Sequence, residues 1–297
     1  MPNSSINRTP KMPAPLWVPS LALSAGYVKR CARQMAINYE ELAEQYNRFR
    51  VPDLRIASAI WAHLKDAKNV LNVGAGIGAY EPVNCQVVAV EPSEKMIDLR
   101  KIPAAKVIRG FAESLPFDDD TFDVSLAVLT IHHWSDIPMG LNEMLRVTKG
   151  KVILFTWIGY GKDFWLEEYI PEIRGIDTAL FPNLQELEEI MGPITVEPVE
   201  IPFDCTDGFM CAYWRRPKAY LDPDVRKAIS TFSRVGDIQK SLRYLEDDLC
   251  NGTWDKIYGH LLLKESMDLG YRIVVRDKEI AKPGVSPDPL RLRRVGQ

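Results

Sequence analysis

No stretch of about 18 consecutive apolar residues occurs anywhere in the 297-residue chain, so no segment is expected to cross a membrane as a helix. Cysteine is scarce. The five residues, Cys31, Cys85, Cys205, Cys211 and Cys250, are an odd and scattered set. That excludes a disulfide framework and fits reduced thiols in a cytoplasmic protein. Cys205 and Cys211 stand six apart, which suits no usual zinc site, and no metal is expected. An excess of charge of one sign is also missing: 37 Lys and Arg against 40 Asp and Glu leave −3 at pH 7. A general nucleic-acid or membrane-surface binder would carry a marked basic excess, so neither partner is expected. No internal repeat is present.

Acidic residues are absent from the first 39 positions, which hold Arg8, Lys11, Lys29, Arg30 and Arg33 and five prolines. Residues 1–35 are therefore expected to be a basic, Pro-rich, disordered extension. A transit peptide has the same composition, and a start codon upstream of Met35 would give the same pattern. From Tyr39 the spacing is helical, and one domain is expected over 36–278. A flexible, proline-containing tail is expected over 279–297.

What is present is a run of alternating strands and helices. Ile56, Ile60 and Leu64 share a helix face within Leu54–Leu64. Strands are expected at 69–73, 86–90, 106–109, 122–129 and 151–156, with helices over 94–100 and 136–147. Ser93 is the expected N-cap of the first of these helices, and Lys149-Gly150 the expected stop of the second. The continuous apolar run of the fourth strand suits a parallel strand buried on both faces. Later come an expected strand over 194–201, a helical insert over about 203–268 and a last strand over 269–275. The fold class is α/β with a Rossmann-like parallel sheet.

The first strand ends in Gly74-x-Gly76-x-Gly78, where the backbone can come close to a ligand. The second ends at Glu91, a carboxylate placed to take ribose hydroxyls. Gly74-x-Gly76-x-x-Ala79 also satisfies the dinucleotide fingerprint, so an NAD(P)-dependent oxidoreductase is the alternative. A pyrophosphate, however, needs a helix N-terminus directly after the glycines, and Ala79–Val83 leaves hardly room for one. A nucleoside without phosphate needs no such helix.

Five segments in order resemble the class I S-adenosylmethionine-dependent methyltransferases, in the type-11 group with ubiquinone-pathway C-methyltransferases and trans-aconitate methyltransferase. They are Val70–Gly78, Val88–Ser93 with Met96, Ala112–Asp118, Phe122–Val124 with Leu129–Trp134, and Asn142–Gly150. The resemblance covers about 39–156. It implies sheet order 3-2-1-4-5-7-6, S-adenosyl-L-methionine as cofactor, and methylation of a small molecule. The implied cofactor-binding positions are Asn72, Gly74, Ala75, Gly76, Glu91, Pro92, Met96, Ala112, Glu113 and Leu129. The chain departs from the family at Asn72, where an acid is usual, and at Phe111, where an Asp usually meets the adenine. A non-catalytic, methyltransferase-like binding protein is a further alternative.

His132 and His133 follow the fourth strand and are the candidates for a general base, or else cap that strand. Tyr39 and Tyr46 are candidates to close over the cofactor. Trp157, Tyr160, Trp165 and Tyr169 either line an apolar or aromatic acceptor pocket or pack the core. Arg215 and Arg216 either meet an acidic substrate or lie solvated on the surface.

Overall fold

Strands that are apolar at every position need cover on both faces, and the sheet of this protein has it. The computed structural model describes residues 48–100, 106–161 and 164–279. Seven strands form the main sheet: β1 (Asn69–Val73), β2 (Gln86–Glu91), β3 (Lys106–Arg109), β4 (Phe122–Val128), β5 (Thr148–Trp157), β6 (Thr195–Pro198) and β7 (Tyr271–Asp277). Their order is β3-β2-β1-β4-β5-β7-β6, as the family resemblance implies. The first five are parallel, with β1 between β2 and β4. β7 runs antiparallel between β5 and β6.

Nine helices flank the sheet among the described residues: α1 (Leu54–Trp61), α2 (Glu94–Asp98), α3 (Ile137–Val147), α4 (Leu166–Tyr169), α5 (Glu172–Leu180), α6 (Leu184–Met191), α7 (Pro223–Lys227), α8 (Gln239–Asn251) and α9 (Thr253–Tyr258). Alternation along each strand divides the core in two. Leu71, Val73, Val152 and Leu154 join Leu141, Met144 and Val147 of α3 and Leu187 and Met191 of α6 on one face. Val70, Ile153 and Phe155 join Ile56 and Ile60 of α1 and the aromatic residues of the insert on the other. Capping follows the sequence. The side chain of Ser93 accepts from the Met96 amide at the start of α2, and Asp136 accepts from Met139 at the start of α3.

Two expectations are corrected. Lys149-Gly150 does not break the chain between helix and strand, because β5 begins at Thr148 and runs through both. A side chain at Gly150 would collide with the Asp123 carbonyl, so glycine here admits β4 at the point where the β4–β5 register shifts. The strand expected over 194–201 is two pieces: β6, then Ile201–Pro202, which pairs in a separate ribbon with Ser266–Met267. The insert between β6 and β7 is helical, as expected, in α7, α8, α9 and short 3-10 turns. The candidates Tyr39 and Tyr46, the segment 1–35 and most of the tail after 278 lie outside the described residues. No described helix is long and apolar enough to cross a membrane.

Candidate active site

The strand order reverses between β1 and β4, and ligand crevices of open α/β sheets form at that point, beyond the carboxyl ends of the strands. β1 leaves the sheet through Gly74, Gly76 and Gly78, all at positive φ (65°, 51° and 86°). The turn is pinned to β2: the Gly74 and Ala75 amides donate to the Val90 carbonyl at 2.8 and 3.1 Å. A Cβ on Gly74 would collide with Thr130 Oγ1 on the β4 side, whereas one on Gly76 would meet only the Met96 methyl at 3.7 Å. Gly74→Ala is thus expected to cost roughly 2–4 kcal/mol, strain and collision together. Gly76→Ala, with strain alone, is expected to cost about 1–2 kcal/mol. Urea denaturation of both variants checks the order.

Glu91, 6 % exposed, closes the turn from below. It accepts from the Gly76 amide at 2.7 Å and the Ser93 amide at 2.9 Å. Burial nevertheless raises its pKa above the ordinary carboxylate value, outweighing both amides and the nearby Arg100. Asn72, at the inward end of β1, donates its Nδ2 to Glu81 Oε1 at 3.0 Å. Glu81 is held in turn by Arg100, whose Nη2 donates to both carboxylate oxygens at 2.7 and 2.6 Å. Arg100 Nη1 donates to the Gly76 carbonyl at 3.0 Å. Both side chains of this ion pair are almost fully buried, at 4 % and 3 % exposure. Asn72 therefore supplies a donor where the family's acid would supply an acceptor, and the charge of Glu81 behind it is balanced by Arg100.

All ten residues named above as cofactor positions line one cavity of about 240 Å³. Asn72, Gly74, Ala75 and Gly76 come from the turn, Glu91, Pro92 and Met96 from β2 and α2, Ala112 and Glu113 from the loop after β3, and Leu129 from the end of β4. Phe111, 65 % exposed, adds a ring to the same wall. Glu113 Oε1 also fixes the entry to α3, accepting from the Ser135 amide and hydroxyl and from the Asp136 amide.

A second cavity of about 60 Å³ adjoins the first and shares Arg50, Leu129 and His133 with it. Leu129 sits in the left-handed region at φ 47° and turns the chain between the two. His132 and His133 follow on one 3-10 turn, with rings 3.7 Å apart; the His132 ring stacks on Phe181 at 4.0 Å. Burial drives both imidazoles to lower pKa, with repulsion from His133 adding at His132 and from Arg234 at both. His133 falls to about 3. Both rings are therefore neutral at neutral pH and can accept a hydrogen bond, but they hold a proton weakly.

Trp157 lines this second cavity. Tyr160 stands behind the wall and donates its hydroxyl to Asp177, which lines it. Trp165 and Tyr169 instead pack the core, bonded to the Trp214 carbonyl and to Asp248. Neither Arg215 nor Arg216 reaches the cavities: they donate to the Lys264 carbonyl and to the Cys205 and Ala212 carbonyls, over the rings of Phe203 and Tyr213. Arg50, Glu81, Arg100 and Asp177 carry no motif, and only the folded chain brings them here; Thr130 lies in the Leu129–Trp134 segment, but its approach to Gly74 is seen only in the fold. Arg50 is paired with buried Asp207, which also accepts from the Tyr80 hydroxyl at 2.8 Å.

The stretch between Gly78 and β2 contains no helix, so no helix N-terminus faces the glycine turn from that side. This removes the main support for a bound pyrophosphate. The described cysteines Cys85, Cys205, Cys211 and Cys250 are all free.

A methyltransferase-domain family matches residues 71–156. A solved structure from Anabaena variabilis, assigned to the methyltransferases and to an antibiotic biosynthesis pathway, shares 33% identity. It covers 76% of this chain and 98% of its own, with TM-score 0.71. Among curated proteins, the uncharacterized methyltransferase YcgJ of Bacillus subtilis is 28% identical over 127 residues, 39% of this chain and 47% of that protein. A malonyl-[acyl-carrier protein] O-methyltransferase of Erwinia pyrifoliae is 30% identical over 172 residues, 54% of this chain and 66% of that protein. The first curated relatives are thus matched over about half of their own length.

Proposed function

The chain belongs to the class I S-adenosylmethionine-dependent methyltransferases, in their type-11 group, and on that premise we propose that it methylates a small molecule with an apolar or aromatic body. The observation that carries the reading is the pair of adjoining cavities at the reversal point of the sheet, one walled by the glycine turn and Glu91, the other by aromatic rings. S-adenosyl-L-methionine, when bound, supplies a sulfonium methyl already activated for displacement, so the protein has chiefly to align two reactants. The first cavity suits that cofactor. Its backbone is bare at Gly76, its acid is buried, and its floor offers Met96 and Ala112 to a flat base.

In this reading Glu91 takes the ribose hydroxyls, and the backbone of Gly74–Gly76 lies against the nucleoside. Pro92, Met96, Ala112 and Glu113 border the base, and Phe111 offers it a ring where relatives offer a carboxylate. Asn72 steadies the turn through Glu81 and leaves the amino end of the cofactor to other groups. Leu129 and the His pair separate donor from acceptor, with His132 and His133 as neutral acceptors beside the reacting end. The aromatic wall of Trp157, Phe181, Phe209 and Tyr271 excludes water and favours an apolar body. An antibiotic-pathway label on the Anabaena structure agrees with a specialised metabolite as acceptor. The reading includes a cytoplasmic setting, with which the free thiols among the described cysteines agree.

Incubating the full chain with methyl-labelled cofactor and the small-molecule fraction of a cell extract tests this. Label should enter a low-molecular-weight, organic-soluble product. Label found only in protein or nucleic acid overturns the small-molecule reading.

A further inference from the structure

The wall of the second cavity holds a charged group outside the recognised motifs. Asp177, on α5, is 3 % exposed, and its carboxylate has no ion-pair partner among the described residues. Two hydroxyls hold it: Tyr160 donates to Oδ2, and Thr231 Oγ1 donates to Oδ1 at 2.7 Å. Each oxygen keeps lone-pair capacity after that. The other groups around it are accounted for. Glu167 of α4 repels it, and the exposed Arg234 attracts it from a distance. Arg174 of its own helix is paired with Glu167, and Lys227 of α7 with Asp224. Arg50 is paired with Asp207. Cys211 lies behind the wall and the Tyr271 ring in it, each with its pKa raised by burial, and both imidazoles are neutral. Burial lifts the Asp177 pKa to about 6 against the two hydroxyl bonds, so it is ionised at neutral pH yet basic enough to take a proton.

We propose that Asp177 is the acceptor-side catalytic carboxylate, and that the group methylated is therefore a hydroxyl or an amine rather than a carboxylate. The proposal rests on the methyltransferase reading and narrows its substrate class. The acceptor's O–H or N–H donates to Asp177. As the new bond from oxygen or nitrogen to the methyl carbon forms, that proton passes to the carboxylate, and the carbon–sulfur bond breaks with its electron pair left on sulfur. Asp177 then releases the proton to water. A carboxylate acceptor would bring a second negative charge beside a buried, unpaired one and would have no proton to give.

Binding of three probes with one ring and different ends reads this out: phenol, benzylamine and benzoate. Each is titrated calorimetrically into the full-length protein, with and without saturating S-adenosylhomocysteine. At about pH 7.5 the wild type should prefer phenol and benzylamine to benzoate by roughly tenfold or more. Asp177→Asn should erase that preference. In the wild type the preference should fade as pH falls through about 6, because protonated Asp177 no longer repels an anion. Thr231→Val removes a bond that favours the ionised form, so the same fading should move to higher pH, a shift that a merely structural role would not give. The Thr231→Val profile also decides the matter if Asp177→Asn does not fold. Benzoate bound as well as phenol in the wild type, an unchanged preference in Asp177→Asn, an unmoved profile in Thr231→Val, or no binding of any probe at about 10 mM overturns the proposal. Failure of S-adenosylhomocysteine itself to bind counts against the cofactor reading instead, and the titrations without it keep the two apart.

Discussion

Arg100→Met should lower the unfolding free energy by about 3–5 kcal/mol, because it leaves the Glu81 carboxylate buried and uncompensated. The same change removes the donor to the Gly76 carbonyl, so the turn loses its fixed shape. S-adenosylhomocysteine affinity is then expected to fall by a further one to two powers of ten in the fraction that still folds. Converting both partners, Arg100→Met with Glu81→Leu, removes the lone charge and should restore most of the stability, leaving unmet the donor of Asn72 and the carbonyl of Gly76. Urea denaturation of the wild type and of both variants measures this. A loss below about 1 kcal/mol in Arg100→Met would show that the pair does not anchor the turn.

Glu91→Ala is expected to separate binding from stability. Ionised Glu91 has a folded-state pKa raised by burial. A group whose pKa is higher in the folded than in the unfolded state weakens folding at pH values above both, so at neutral pH its removal relieves a cost. Against this, the amides of Gly76 and Ser93 lose their acceptor. The two effects oppose, and stability should change by no more than about 1.5 kcal/mol. Affinity has no such compensation. Losing a charged acceptor for two ribose hydroxyls should weaken S-adenosylhomocysteine binding by roughly 30- to 1000-fold. Equal losses of stability and affinity would make Glu91 a structural residue of the turn and nothing more.

The parts of the site that could be read from the chain are those whose geometry is local. A strand, a glycine turn and an acid at the next strand end are fixed by neighbours in sequence, and Gly74, Gly76 and Glu91 meet as their spacing implies. Sheet order followed from the family resemblance, since periodicity alone does not choose between neighbours. The rest depends on long-range approach. Arg100 looks like an ordinary helix-end cation until Glu81 and Gly76 close on it. Asp177 sits in an amphipathic helix, and only the packing of Tyr160 and Thr231 around it reveals a buried acid. Gly150 read as a terminator because glycine often is one, whereas here it makes room for the Asp123 carbonyl of β4. Arg215 and Arg216 read as surface or substrate charges, yet both are spent on backbone carbonyls.

The glycine turn and Glu91 are expected to hold a sulfonium nucleoside and not a dinucleotide. Calorimetric titration of the full-length protein with S-adenosylhomocysteine and, separately, with NADH tests it most directly. S-adenosylhomocysteine should bind with one site per chain in the micromolar range, about −8 kcal/mol, with NADH at least a hundredfold weaker. No S-adenosylhomocysteine binding at millimolar ligand, or NADH bound as tightly, would show that the turn is not a sulfonium-nucleoside site.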